Sequence, residues 1–292
     1  MKANKNLDTL VDDIYNIISA LPNNKQIEIT DEQLDLFGKE MAAALKHWST
    51  PQVVGKKGKP ALRMSNIGKP SRQLWFDVNS KVPHENSRPP SLYIKFLYGH
   101  LLEVLMLFFV RLSGHSIDSE QKQITVSGIK GHMDCKIDGE VVDVKTASGY
   151  AFKKFQDGSL AENDSFGYLS QLAGYEEAEG TSNGGFLVMN KETGELVFHR
   201  PQDLDKPNIK NRIKNIKSDV KKETPPDLCY PTVPEGKSGN MKLPKDCSWC
   251  IHKFECHKDS NNGEGLKVFR YAKGNVYLTN INKIPNVEEV II

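Results

Sequence analysis

The dipeptide Asp138-Gly139, set between two runs of β-prone residues at 131–137 and 140–146, constrains the fold of this chain more than any other short feature. Asp-Gly supplies the two positive-φ positions of a type I′ turn, whose twist matches that of the strands it joins. A two-residue loop also sets the register: Ile137 faces Glu140, Lys136 faces Val141, Cys135 faces Val142 and Asp134 faces Asp143. Because side chains alternate, His132, Asp134, Lys136, Val141, Asp143 and Lys145 share one face. Met133, Cys135, Ile137, Val142 and Val144 share the other, which is apolar and is expected to be the core face.

Two carboxylates opposed across paired strands repel one another at roughly 5 Å between Cβ atoms. A hard divalent cation relieves that repulsion, and Mg2+ is commonly bound by one or two carboxylates together with waters and phosphate oxygens. Lys145, two residues past Asp143, points to the same side. An ammonium there orients or deprotonates an attacking water, or neutralises charge at phosphorus. The plainer reading of the same residues is a polar, solvent-facing sheet surface with a chance acidic pair.

Around the hairpin, Leu10, Ile14, Ile17, Ile18 and Leu21 fall at helical spacing, and a second helix starts at Thr30 with a T-x-x-Q capping box ending in Gln33. A long helix is predicted over 91–113, stopped by Gly114 and carrying Glu103. A strand at 123–126, a helix at 164–179 and a hairpin from 185–190 and 195–199 follow the same patterns. Ile209, Ile213, Ile216 and Val220 form one buried stripe of a helix over 206–222, whose other faces carry Lys210, Arg212, Lys214, Lys217 and Lys221. A second basic stretch, with Lys56, Lys57, Lys59, Arg63, Lys69 and Arg72, has no acid between Pro51 and Phe76. Both stretches are candidates to follow a phosphate backbone, and both also read as plain solvated surface. From 225 to 259 the chain turns rich in Pro, Gly and Cys, and 266–292 reads as a short hairpin plus tail.

A chain of 292 residues can bury a sizeable core without disulfides, and 38% hydrophobic with 26% charged residues is an ordinary globular balance. Asp8, Asp12 and Asp13 interrupt any apolar N-terminal region, and no segment is expected to reach transmembrane length, so a cytoplasmic protein with no membrane partner is expected. Five cysteines, three of them packed into Cys247, Cys250 and Cys256, suit metal or cluster ligation in a reducing compartment better than disulfides.

Asp134 followed by Asp143-Val144-Lys145 resembles the signature of the PD-(D/E)xK nucleases. Tyr98-Gly99-His100-Leu101-Leu102-Glu103 is similar to the helical G-x3-(H/E) motif of the RecB-like and lambda-exonuclease branch, and Gln171-x3-Tyr175 to the Q-x3-Y motif of RecB-like nucleases. Leu62 to Gly68, with Pro70 and Arg72, is similar to the family's opening segment, so the resemblance covers residues 62–256. It implies an α/β fold with a restriction-endonuclease-like core, a mixed central sheet flanked by helices, and a cysteine-ligated C-terminal segment. The expected division is a helical extension at 1–60, a nuclease core at 61–224, and a cysteine-cluster segment with a C-terminal hairpin at 225–292. The resemblance implies that Glu103, Asp134, Asp143 and Val144 hold Mg2+ or Mn2+, that Lys145 serves the chemistry, and that Gln171 and Tyr175 act as positioning residues. DNA contacts are then expected from Lys56, Lys57, Lys59, Arg63, Arg72, Lys210 and Lys214.

Cys247-x2-Cys250-x5-Cys256 is similar to the three C-terminal ligands of iron-sulfur nucleases of the AddB and CRISPR-associated type, which implies a 4Fe-4S cluster. Zinc is the alternative, with His252 or His257 as substitute ligands. Many such nucleases place a fourth cysteine just before the proline that stands here at position 70, where this chain has Lys69. Cys229 is the available fourth ligand, since Cys135 lies on the core face, so ligation is expected to stay within 229–256 and to order mainly its own loop. The implied function is a metal-dependent DNA exonuclease that processes ends in recombination, repair or replication, with a recombination or single-strand-binding protein as partner. A phage origin, with action in the host cytoplasm, would suit the small chain. A structure-specific endonuclease and a non-catalytic DNA-binding module are the alternatives.

Overall fold

Asp138 and Gly139 both take positive φ, 51° and 88°, and the pairs Ile137–Glu140, Lys136–Val141 and Cys135–Val142 form as a two-residue turn requires. The structure, a computed structural model, describes residues 5–50, 62–80 and 90–291. In chain order its main helices are α1 (Leu10–Ile18), α2 (Asp31–Ser49), α3 (Ser71–Asn79), α4 (Pro90–Leu112), α5 (Gly149–Gln156), α6 (Tyr168–Glu179) and α7 (Ile209–Asp219). The strands are β1 (Ile117–Asp118), β2 (Gln123–Val126), β3 (Ile129–His132), β4 (Cys135–Ile137), β5 (Glu140–Ala147), β6 (Gly185–Asn190) and β7 (Leu196–His199), then β8 (Val233–Pro234), β9 (Met241–Lys242), β10 (Lys267–Tyr271) and β11 (Gly274–Asn280).

These elements form two compact units, Met1–Gly68 with Ser87–Lys214, and Lys69–Asn86 with Asn215–Ile292. The partition differs from the division expected from sequence. The N-terminal helices belong with the unit that holds Asp134 and Asp143, whereas α3 belongs with the cysteine segment.

The first unit is built on a mixed five-stranded sheet in the order β1-β4-β5-β6-β7. Only β5 and β6 run parallel, and α5 and α6 supply the crossover that a parallel pair needs. On one face, Cys135, Ile137, Val142, Val144, Leu187 and Met189 form a core with Leu10 and Ile14 of α1 and Met106, Leu107 and Val110 of α4. This is the apolar face that strand alternation predicts. The opposite face is also closed, because α6 packs over β5 and leaves Val141 and Asp143 fully buried. With cover on both sides, β5 loses the alternation of a half-solvated strand.

Helix α2 begins at the expected capping box: the Gln33 N–H donates to Thr30 Oγ1 and the Thr30 N–H donates to Gln33 Oε1. It packs along α4, whose run ends where Gly114 takes a φ of 80°. By length and composition α4 can also cross a membrane, which corrects the expectation that no segment reaches that length. In this fold its inner residues enter the core, and its N-terminal half leaves Tyr93, Ile94, Phe96 and Tyr98 exposed.

The second unit holds a four-stranded antiparallel sheet, β10-β11-β9-β8. The expected terminal hairpin is β10–β11, and the tail returns beside β10, where the Val290 N–H donates to Val268 O. Helix α3 is tied to the chain after α7: Trp75 Nε1 donates to Lys222 O and Asn79 Nδ2 to Val220 O, at 2.8 and 2.9 Å.

In the first unit, Gly167 opens α6 with a φ of 77° and packs directly against Gly68; a Cβ on either would lie 2.3 Å from the other's Cα. Backbone against backbone cannot yield as a flexible side chain would. Gly167→Ala should therefore destabilise the first unit by about 2–4 kcal/mol. Chemical denaturation checks this, and a loss under about 1 kcal/mol would contradict the packing described.

Candidate active site and cysteine pocket

The β4–β5 ladder stops at Cys135–Val142, one pair short of the acids. Asp134 has left the strand, and its Oδ2 accepts the Val144 N–H at 2.9 Å. A side chain thus takes over the ladder bond, and Asp134 adjoins Asp143 without being its strand partner. Asp143 is fully buried, and its Oδ2 lies 2.7 Å from Lys145 Nζ. Neither Asp143 oxygen makes a hydrogen bond of good geometry, so that contact is an ion pair rather than a directed bond. Glu103 enters from α4, with its Oε1 accepting from Gln121 Nε2 at 3.1 Å.

Charge shows how closely these groups are gathered. Burial pushes the Glu103 carboxyl up to about 8; Asp134 and Asp143 add to this, while Lys145 and the Gln121 bond oppose it. Burial likewise pushes Asp143 up to about 7, against the pull of Lys145 and with the repulsion of Asp134. Burial disfavours the Lys145 cation, but Asp143 and Asp134 outweigh that and hold its ammonium above the ordinary lysine range. The donor set is hard carboxylate oxygen with poorly satisfied buried atoms, which fits Mg2+ or Mn2+. Among the described residues, the cysteines included, no three His, Cys, Asp or Glu side chains are spaced to hold a metal ion as they stand.

Gln171 and Tyr175, one turn apart on α6, are both buried, and Gln171 Nε2 donates to Tyr175 Oη at 2.7 Å. Burial raises the Tyr175 hydroxyl pKa, and the Asp143 and Asp134 charges raise it further, so the pair adjoins the acids. Sequence reasoning passed over Tyr168, whose ring centroid lies 5.4 Å from Lys145 Nζ. An aromatic residue at the start of the predicted helix was its only sequence signal.

The expected DNA contacts divide. Lys56, Lys57 and Lys59 lie outside the described residues. Arg63 and Lys214 are exposed, and Lys210 Nζ pairs with Glu177 at 2.6 Å. Arg212 donates to Ile67 O and Gly68 O, so part of the basic face of α7 is structural. Arg72 is engaged within the second unit: its Nε donates to Cys256 Sγ at 3.0 Å, Nη2 to Cys256 O at 3.2 Å, and Nη1 to Pro226 O.

Cys229, Cys247, Cys250 and Cys256 line one cavity of the second unit, together with Arg72, Gln73 and Phe76 of α3. Three of the sulfurs meet N–H donors: Cys256 from Arg72, Cys229 from the Gln73 backbone and Cys250 from the His252 backbone. Burial pushes the Cys247 thiol up to about 12, and the other three cysteines add to this. Four gathered sulfurs, three of them with N–H support, are the donor type of a soft metal or an iron-sulfur cluster. His252 Nε2 is engaged 2.6 Å from Asp77 Oδ1. Cys135 is apart from this cavity, buried in the core of the first unit. The pocket is not the self-contained loop expected from sequence, because α3 forms part of its wall.

Neither a protein-family model nor a curated protein matches the chain. Among solved structures, it is similar to the alkaline exonuclease LHK-Exo from Laribacter hongkongensis, with 15% identity, coverage of 53% of this chain and 89% of that one, and a TM-score of 0.34. LHK-Exo in complex with dAMP gives 12%, 55%, 93% and 0.29 for the same quantities. The protein SSO0001 gives 15%, 76%, 94% and 0.36. At such identity and TM-score these likenesses carry no functional weight.

Two expectations follow from the site. Glu103 and Asp143 must lose protons to hold a cation, so Mn2+ affinity should rise with pH through about 7–8 and level off above, with proton release on binding. Calorimetry in buffers of different ionisation enthalpy reads both; an affinity unchanged between about pH 6 and 9 would contradict it. In the pocket, Cys229→Ala should lose bound iron or zinc as fully as Cys250→Ala, Cys135→Ala should keep it, and Arg72→Met should yield metal to a chelator about tenfold faster. Metal and sulfide analysis after anaerobic purification checks this, and full metal content in Cys229→Ala would contradict it.

Proposed function

We propose that the chain is a metal-dependent deoxyribonuclease that hydrolyses phosphodiester bonds, working inward from DNA ends in recombination, repair or replication. The observation that carries this reading is the buried Asp143–Lys145 ion pair on one strand face, joined by Asp134 from the paired segment and Glu103 from α4. Such a concentration of perturbed ionisable groups is costly for a fold and is the arrangement by which functional sites tune their acids and bases.

In this reading Glu103, Asp134, Asp143 and the Val144 carbonyl hold Mg2+ or Mn2+. When bound, the cation polarises a phosphoryl oxygen and lowers the pKa of a coordinated water. Asp134 is kept in orientation by the Val144 N–H. Lys145 stays a cation beside two carboxylates, which favours its stabilising charge at phosphorus or orienting water over its taking a proton. Tyr175 and Gln171 hold one wall of the space from α6. The cysteine pocket holds a 4Fe-4S cluster or, in its place, zinc, as a structural support of the second unit.

Incubation with end-labelled linear and covalently closed circular DNA, with Mg2+ and with Mn2+, tests the proposal. Linear DNA should be degraded and closed circles left intact; nicking of circles at a comparable rate would favour a structure-specific endonuclease. Asp134→Asn, Asp143→Asn and Lys145→Ala should each lower the cleavage rate by about a hundredfold or more while circular dichroism stays unchanged. Normal turnover by Asp143→Asn would contradict the assignment.

A further inference from the structure

Phe166 is 68% exposed, although it sits in the loop that leads into α6 and the buried site. Single exposed apolar side chains are ordinary, but this one is placed by three separate features. Its inner face stacks on Tyr168, with ring centroids 5.5 Å apart and an interplanar angle of 18°. Tyr168 is in turn anchored on buried Phe155 and Phe186, at 6.0 and 6.3 Å, and carries Lys145 Nζ at 5.4 Å from its ring. Two ring contacts therefore lead from the Lys145 ammonium straight to an open aromatic face.

The backbone beneath Phe166 is fixed. Asp164 accepts the N–H groups of Tyr168 and Leu169 through its two carboxylate oxygens, both at 2.9 Å, and Gly167 is wedged against Gly68. A second exposed ring, Tyr150, starts α5 just past the strand that carries Lys145, with Lys154 Nζ 5.5 Å from its centroid. Lys154 also donates to Asn163 O at 2.8 Å, tying α5 to the segment before Phe166. Rigid, outward-facing aromatic rings interleaved with lysines are what a strand of unpaired nucleic acid needs, because every base has a π-face and every phosphate a charge.

We propose that Phe166 is a stacking platform for an unpaired nucleobase of the DNA strand entering the site, and that the enzyme therefore favours single-stranded or frayed ends over blunt duplex ends. The proposal rests on the nuclease reading and adds the form of the substrate. A base seated on Phe166 would lie two ring contacts from Lys145, so the platform would bear on which phosphate reaches the site. Tyr168 carries the ring from below, and the lysines of α5 accompany the strand.

The probe is a short single strand with 2-aminopurine near one end, then near the other, bound to Asp143→Asn protein. Stacking should quench its fluorescence. Phe166→Ala should lose the quenching and bind the strand about tenfold more weakly, and Phe166→Trp should restore both; in the active enzyme Phe166→Ala should raise KM for frayed DNA with kcat little changed. Quenching and affinity as strong with Phe166→Leu as with Phe166 would overturn the platform, as would an unchanged KM in a Phe166→Ala enzyme that cuts normally, which leaves the nuclease reading intact. If the wild-type protein cuts no DNA while Phe166-dependent quenching persists, the platform stands and the nuclease reading fails.

Discussion

Three carboxyl groups and one ammonium are gathered at the β5 strand, and holding their charges together is the constraint that the elements of the first unit meet. Two like charges a few ångströms apart inside a protein cost several kcal/mol even with generous screening. A single lysine offsets part of that, and the remainder appears as carboxyl groups held at about 7 and about 8. On the nuclease reading, that excess of negative charge and those poorly satisfied oxygens are what would draw a divalent cation, so that stability given up in the metal-free protein would return as affinity for the ion.

Three elements bring these charges together. The type I′ turn pairs β4 with β5, and the early end of their ladder lets Asp134 swing to the Val144 N–H. Parallel pairing of β5 with β6 forces a crossover, which returns as α6 over the acid face and seals Asp143 from water. Helix α4 covers the opposite face of the sheet with Met106, Leu107 and Val110 and delivers Glu103 to the same acids. Burial and repulsion thus arise from the elements that make the core, and the site has no separate scaffold.

Much of this was legible in the chain. Asp138-Gly139 dictated the register, the alternation of Cys135, Ile137, Val142 and Val144 marked the core face, and the box at Thr30–Gln33 marked the start of α2. What local pattern does not carry is the far side of each element. Alternation gave β5 one polar face, and only the crossover of α6 buries it. A basic run suggests a phosphate surface until a third dimension turns Arg72 into Cys256 and Arg212 into Ile67. The role of Tyr168 was illegible for the same reason: its contact with Lys145 joins residues 23 positions apart through the sheet.

The electrostatic account is tested most directly by the stability of the metal-free and Mn2+-loaded protein as a function of pH. Carboxyls raised in the folded state add stability below their unfolded pKa, and that contribution is lost as pH rises through the folded value. The metal-free first unit should therefore lose stability between about pH 4 and pH 8. Mn2+ should restore it at the upper end, and Glu103→Gln should remove about half of the pH dependence, since Asp143 keeps its own raised carboxyl. A metal-free unfolding midpoint that is flat across this window, with no response to Mn2+, would contradict a strained acid cluster built for a cation.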